Sequence, residues 1–154
     1  MLTLRRRSDG AGGDANAGGN LRGYMATRIL IADDSPLIRQ CLGKLLGGHR
    51  GWEVCGEATD GEDAVSKARE LTPDVIVIDY LMPRKNGIEA AREISKRSPR
   101  TPILLCTISP TAQLVDQARG AGIAGTLSKG EMDKMIGYVE ALVRGDRLPL
   151  DRVH

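Results

Sequence analysis

No phenylalanine occurs in this chain, and its only aromatics are one Trp and three Tyr in 154 residues. The core must therefore be aliphatic, and stacking platforms for single-stranded nucleic acid are lacking. Histidine is nearly absent: His49 and His154 are the only two, which argues against a histidine-built metal site or a catalytic triad. Cys41, Cys55 and Cys106 stand apart in apolar segments. No CxxC pair or disulfide-like spacing joins them, so a reducing, cytoplasmic setting is expected. No apolar run is long enough to span a bilayer. The formal net charge of +2 is too small to argue for nucleic acid or a membrane surface. What is present is ordinary: 41% apolar and 27% charged residues, the balance of one globular domain.

The most informative stretch is Pro73 to Gly87, PDVIVIDYLMPRKNG. Val75, Ile76, Val77 and Ile78 form an unbroken β-branched run that stops at one carboxylate, Asp79. Without alternation, such a run predicts a strand buried on both faces, as at the centre of a parallel sheet. Pro83 and Gly87 then turn the chain. An acid is thus placed at the C-terminal tip of a central strand, the edge where open α/β sheets bind ligands. On this stretch alone, a loop aspartate capping the next helix is an equal reading.

The remaining order is regular. Arg28–Ala32 is a short apolar strand ending in Asp33-Asp34, and Ser35-Pro36 supplies an N-cap and a first-turn proline. Leu37, Ile38, Cys41, Leu42, Leu45 and Leu46 recur at helical spacing up to Gly47-Gly48. Trp52–Ala58 is a second strand, followed by a helix carrying Ala64, Val65, Ala68 and Leu71. After the central strand, Ile88, Ala91 and Ile94 mark a third helix. Pro102–Cys106 is a fourth strand ending at Thr107, and Ser109-Pro110 opens a fourth helix. Ile123–Leu127 is a weaker fifth strand ending at Ser128-Lys129, and a final amphipathic helix begins at Met132. Alternating strands and helices with short connections imply βαβ units and a parallel sheet covered on both faces. Residues 1–26, with three arginines and a Gly-rich run, bury too little to order themselves and are expected to be a disordered tail. Residues 27–145 form the expected domain and 146–154 a short tail.

In such a sheet the strand ends bring Asp33, Asp34, Asp79, Thr107 and Lys129 to one edge. Three carboxylates together repel unless a cation sits among them, and an oxygen-only set suits a hard ion such as Mg²⁺. A hydroxyl and an ammonium beside them suit the charge and oxygens of a phosphoryl group. Asp79 can then act as the nucleophile that forms an acyl phosphate. Taken singly, Thr107 is an ordinary strand-end residue and Lys129 a solvated one. The lysine's place near a helix N-terminus is electrostatically unfavourable, which tips it toward a ligand role.

IADDSPLIR at 31–39, VIVIDYLMPRKNG at 75–87, LLCT at 104–107 and SK at 128–129 together resemble the receiver domain of bacterial two-component response regulators. The stretch GTLSKG at 125–130 most resembles receivers of the luminescence-regulator class, which usually continue into a DNA-binding helix-turn-helix. The resemblance implies a flavodoxin-like (βα)5 fold, a doubly wound parallel sheet of strand order 2-1-3-4-5. It implies phosphoryl transfer from a histidine kinase or phosphotransfer protein to Asp79, with Asp33, Asp34 and Asp79 on Mg²⁺ and with Thr107 and Lys129 on phosphoryl oxygens. It implies a signalling switch, not an enzyme with an external substrate. Two positions depart from the family pattern. Thr126 stands where an aromatic is usual, and Ile108 where a small residue is common. A receiver that keeps the fold only as an interaction module is the alternative. No helix-turn-helix is expected within the nine residues after 145, so output by protein contact, including a homodimer, is expected, without DNA binding by this chain itself.

Overall fold

The computed structural model describes residues 26–146 and 148. The strands are β1 (Thr27–Ala32), β2 (Trp52–Ala58), β3 (Val75–Asp79), β4 (Ile103–Thr107) and β5 (Gly125–Ser128). The helices are α1 (Pro36–Gly47), α2 (Gly61–Leu71), α3 (Gly87–Arg97), α4 (Ala112–Gly120) and α5 (Met135–Val143), the last preceded by a 3₁₀ segment, Lys129–Lys134. The strands form one sheet in the order β2-β1-β3-β4-β5, and every neighbouring pair is parallel. The parallel sheet covered on both faces is as the alternation predicts, and its flavodoxin-like strand order is the one that the receiver resemblance implies. Expectations for the N-terminal tail lie outside the described residues except at Ala26, which is buried. Those for the C-terminal tail lie outside them except at Asp146 and Leu148.

All five positions of β3 and of β4 are buried, which accounts for their unbroken apolar runs. Successive side chains alternate between two cores. Leu30, Ile76, Ile78, Ile103 and Leu105 face α2, α3 and α4, whose contacts are mostly alanines such as Ala64, Ala68, Ala91 and Ala118. Ile29, Ile31, Val75, Val77, Leu104 and Leu127 face α1 and α5 through Leu42, Leu46, Met135, Val139 and Leu142. Small helix residues let the helices lie close to the sheet, so an aliphatic core fills without Phe. Each such Leu or Ile contributes about 1.5–3 kcal/mol by leaving water.

Four helix N-termini end at the same sheet edge, each with a side-chain cap. Ser35 accepts from Ile38 N–H, Asp60 from Asp63 N–H, Asn86 from Glu89 N–H in a reciprocal capping box, and Thr111 from Leu114 N–H. Three expectations are corrected. The cap of α4 is Thr111, not Ser109, because Ser109-Pro110 stay in the loop leaving β4. The last helix does not begin at Met132: Ser128 caps Gly130, and Glu131 is non-helical at φ −117°, ψ 39°, so residues 129–134 form 3₁₀ turns. Leu37 and Cys41 are exposed, although their spacing placed them on the apolar face of α1.

Candidate functional site

β1 and β3 are adjacent and parallel, so the residues following Ala32 and Ile78 emerge side by side. That register brings Asp33, Asp34 and Asp79 together, with a carboxylate oxygen of each within 4.8 Å of the others. Asp33 and Asp79 are buried and Asp34 is exposed. β5 lies two strands from β3 and delivers Lys129 from its end. The ammonium Nζ sits 2.9 Å from Asp33 Oδ2 and 3.2 Å from Asp79 Oδ1. Thr107, at the tip of β4 between them, is buried as well. Asp33, Asp34, Asp79 and Lys129 thus meet at one place, and Thr107 stands at the end of the intervening strand.

The charges do not balance: three carboxylates face one ammonium. Burial pushes the Asp79 carboxyl above its ordinary range, the neighbouring Asp33 adds to this, and Lys129 pulls the other way. At Lys129 burial opposes the charge. The hydrogen bonds and charges of Asp33 and Asp79 outweigh it and leave the ammonium firmly protonated, its pKa raised. Asp33 is further fixed by accepting Ser35 N–H at Oδ1, 2.9 Å away, while its backbone carbonyl accepts from Arg39. A cluster of hard oxygens with surplus negative charge could hold a divalent cation, and its donor set fits Mg²⁺.

The site opens beside a groove of about 490 Å³ lined by Tyr80, Leu81, Thr107, Ile108, Ser109 and residues of α4. Ile108 is 72% exposed and Leu81 64%, so Ile108 stands at the rim and does not plug the pocket. Thr126 lies in the middle of β5, buried and paired in register with Leu105. It is not in the acid cluster. Ser128 Oγ donates to the Ile108 carbonyl at 3.4 Å, tying the end of β5 to the loop after β4.

Sequence reasoning missed the supports of the loop after Asp79. A Cβ on Gly87 would lie 2.2 Å from the Asp79 carbonyl oxygen, and one on Gly61 would lie 2.0 Å from that of Lys85. Both glycines permit backbone contact at the site wall. The Asp60-Gly61 and Asn86-Gly87 dipeptides were the available signals, each readable only as a turn.

The response regulator receiver domain profile matches residues 29–140. The chain belongs to this family, the receiver domains of two-component signalling. It is 36% identical over 122 residues to the transcriptional regulatory protein YxjL of Bacillus subtilis, covering 79% of this chain and 56% of that protein. It is 41% identical over 98 residues to the chemotaxis protein CheY of Thermotoga maritima, covering 64% of this chain and 81% of that protein. Among solved structures, a LuxR-family two-component response regulator from Aurantimonas sp. SI85-9A1 superposes with a TM-score of 0.77. It has 31% identity and covers 80% of this chain and 89% of that one. Among the described residues no helix is long and apolar enough to cross a membrane.

Proposed function

We propose that this chain is a phosphorylation-dependent switch whose phosphoacceptor is Asp79. The observation that carries the reading is a buried carboxylate at the tip of the central strand, held 3.2 Å from the Lys129 ammonium and beside Asp33 and Asp34. Asp33, Asp34 and Asp79 would hold Mg²⁺. Bound there, it would supply charge neutralisation for the phosphoryl oxygens. Lys129 would turn from the carboxylates to the incoming phosphoryl group, and the Thr107 hydroxyl would donate to a second oxygen. An Asp79 oxygen bonds to phosphorus as the bond to the donor's imidazole nitrogen breaks. The leaving nitrogen keeps the electron pair, and the imidazole takes up a proton.

The donor is a histidine kinase or phosphotransfer protein. Leu37 in the first turn of α1, Leu81 after β3 and Ile108 after β4 are each more than 60% exposed, and each follows a strand whose end carries an acid or Thr107. An apolar rim around a polar centre suits a protein donor. The output is protein contact, with a kinase, another regulator or a second copy. The formal charge of +2 offers little attraction to DNA phosphates, and specific DNA binding by this chain alone is not expected. Acid-quenched labelling by a small acyl-phosphate donor tests the reading. Base-labile label should form with Mg²⁺ and be lost on chelation. Label that forms equally well in chelator would remove the metal role, and no label at all would favour a receiver fold kept only for interaction.

A further inference from the structure

The loop that leaves the phosphoacceptor contains a backbone outlier. Arg84 has φ +68°, in the left-handed region that side chains with a Cβ rarely adopt. Such conformations persist where surrounding contacts over-determine them, and they concentrate at functional sites. The contact here is specific. Arg84 Nε donates to Asp60 Oδ2 at 3.0 Å, and that carboxylate is nearly buried. Asp60 has a separate task for its other oxygen, Oδ1, which caps α2 by accepting Asp63 N–H at 2.7 Å. Capping therefore accounts for one oxygen only; the second faces the loop.

The rest of the loop is pressed onto the same spot. Gly61 N–H donates to the Pro83 carbonyl at 3.3 Å, and the Lys85 carbonyl occupies the space a Gly61 Cβ would need. Lys85 N–H closes a turn on Pro83 at 2.8 Å, and Gly87 N–H closes another on Tyr80 at 2.8 Å. Tyr80 and Leu81, between these anchors and Asp79, form one wall of the groove beside the acid site.

We infer that Asp60 and Arg84 are positioning residues: their ion pair clasps the loop 80–86 against the start of α2 and so sets the wall through which a phosphodonor reaches Asp79. The clasp rests on Asp79 being the phosphoacceptor. It acts through the loop, and neither residue touches the reacting atoms. An ion pair with a 60% exposed arginine is weak as a stabiliser. A pair that holds a strained backbone in place acts instead on geometry, where a displacement of about 1 Å costs up to about a hundredfold in rate.

A double-mutant cycle tests the clasp. Arg84→Gly relieves the left-handed strain and removes the ion pair. Asp60→Asn keeps an oxygen for the α2 cap and removes the charge. Each single variant should exchange the Lys85 and Gly87 amides faster than the parent. Each should label Asp79 about tenfold more slowly at saturating Mg²⁺ from the small donor, and the double variant no more slowly than either single one. Parent-like exchange in both single variants, parent-like labelling rates, or rate losses that multiply in the double variant would overturn the inference. Should the parent itself take no label, the phosphoacceptor reading fails, and the amide-exchange cycle still decides whether the pair holds the loop.

Discussion

At Asp79 the protein keeps a carboxylate where burial and Asp33 both disfavour its charge. An acid whose pKa is raised on folding contributes stability that is full below its unfolded value and is lost as pH rises through the folded value. At neutral pH, above the ordinary carboxylate range, Asp79 therefore works against the fold. In Mg²⁺-free buffer, Asp79→Asn should raise the melting temperature at pH 7 and lose that advantage as the pH falls below the ordinary carboxylate range. A variant no more stable than the parent at pH 7 would show that Lys129 already compensates the cluster. Cysteine chemistry offers a second check. Burial pushes the Cys106 thiol up to about 12, whereas Cys41 is exposed. At pH 8 a thiol reagent should modify Cys41 rapidly in the native protein and Cys106 only on unfolding, as followed by peptide mapping. At this scale the acid, threonine and lysine positions were legible because each stands at a strand end. The Asp60–Arg84 pair was not, since its partners are 24 residues apart and Asp60 reads in the sequence only as the turn into α2.

The elements follow from periodicity where an element is buried and fail where a loop competes with it. β3 and β4 could be read directly, because burial on both faces leaves only apolar residues. The start of α4 was misplaced because Ser109-Pro110 looks like a cap, yet the Thr111 hydroxyl reaches the Leu114 amide at 3.1 Å. Exposed Leu37 is a similar case: spacing marks a face but not where the neighbouring helix or sheet ends. Two predictions belong here. A Cβ at Gly61 meets backbone, not a flexible side chain, so Gly61→Ala should cost about 1–3 kcal/mol in denaturant unfolding. A cost near zero would mean that the loop can withdraw freely. The second concerns readout. Thr126 cannot fill the volume of an aromatic, and its χ1 is stiff. The β4–α4 loop, by contrast, is tied to the β5 end through Ser128 and Ile108. A phosphoryl mimic at Asp79 should therefore shift the amide resonances of Ile108, Ser109, Thr111 and Ser128 more than that of Thr126. Large changes at Thr126 alone would contradict this.

On the scale of the whole molecule, the five-stranded order places four strand ends and four capped helix starts along one edge, and the chemistry gathers there. Family membership rests on the match over residues 29–140, and the chain spans about half the length of YxjL. A fold of this kind serves many partners, so function has to be argued from the site. The central claim is that the site accepts one phosphoryl group at Asp79. Intact-mass spectrometry of the parent and of Asp79→Asn, after incubation with a small acyl-phosphate donor and Mg²⁺, tests it most directly. The parent should gain a single phosphoryl group and the variant none. An equal gain in both would contradict it.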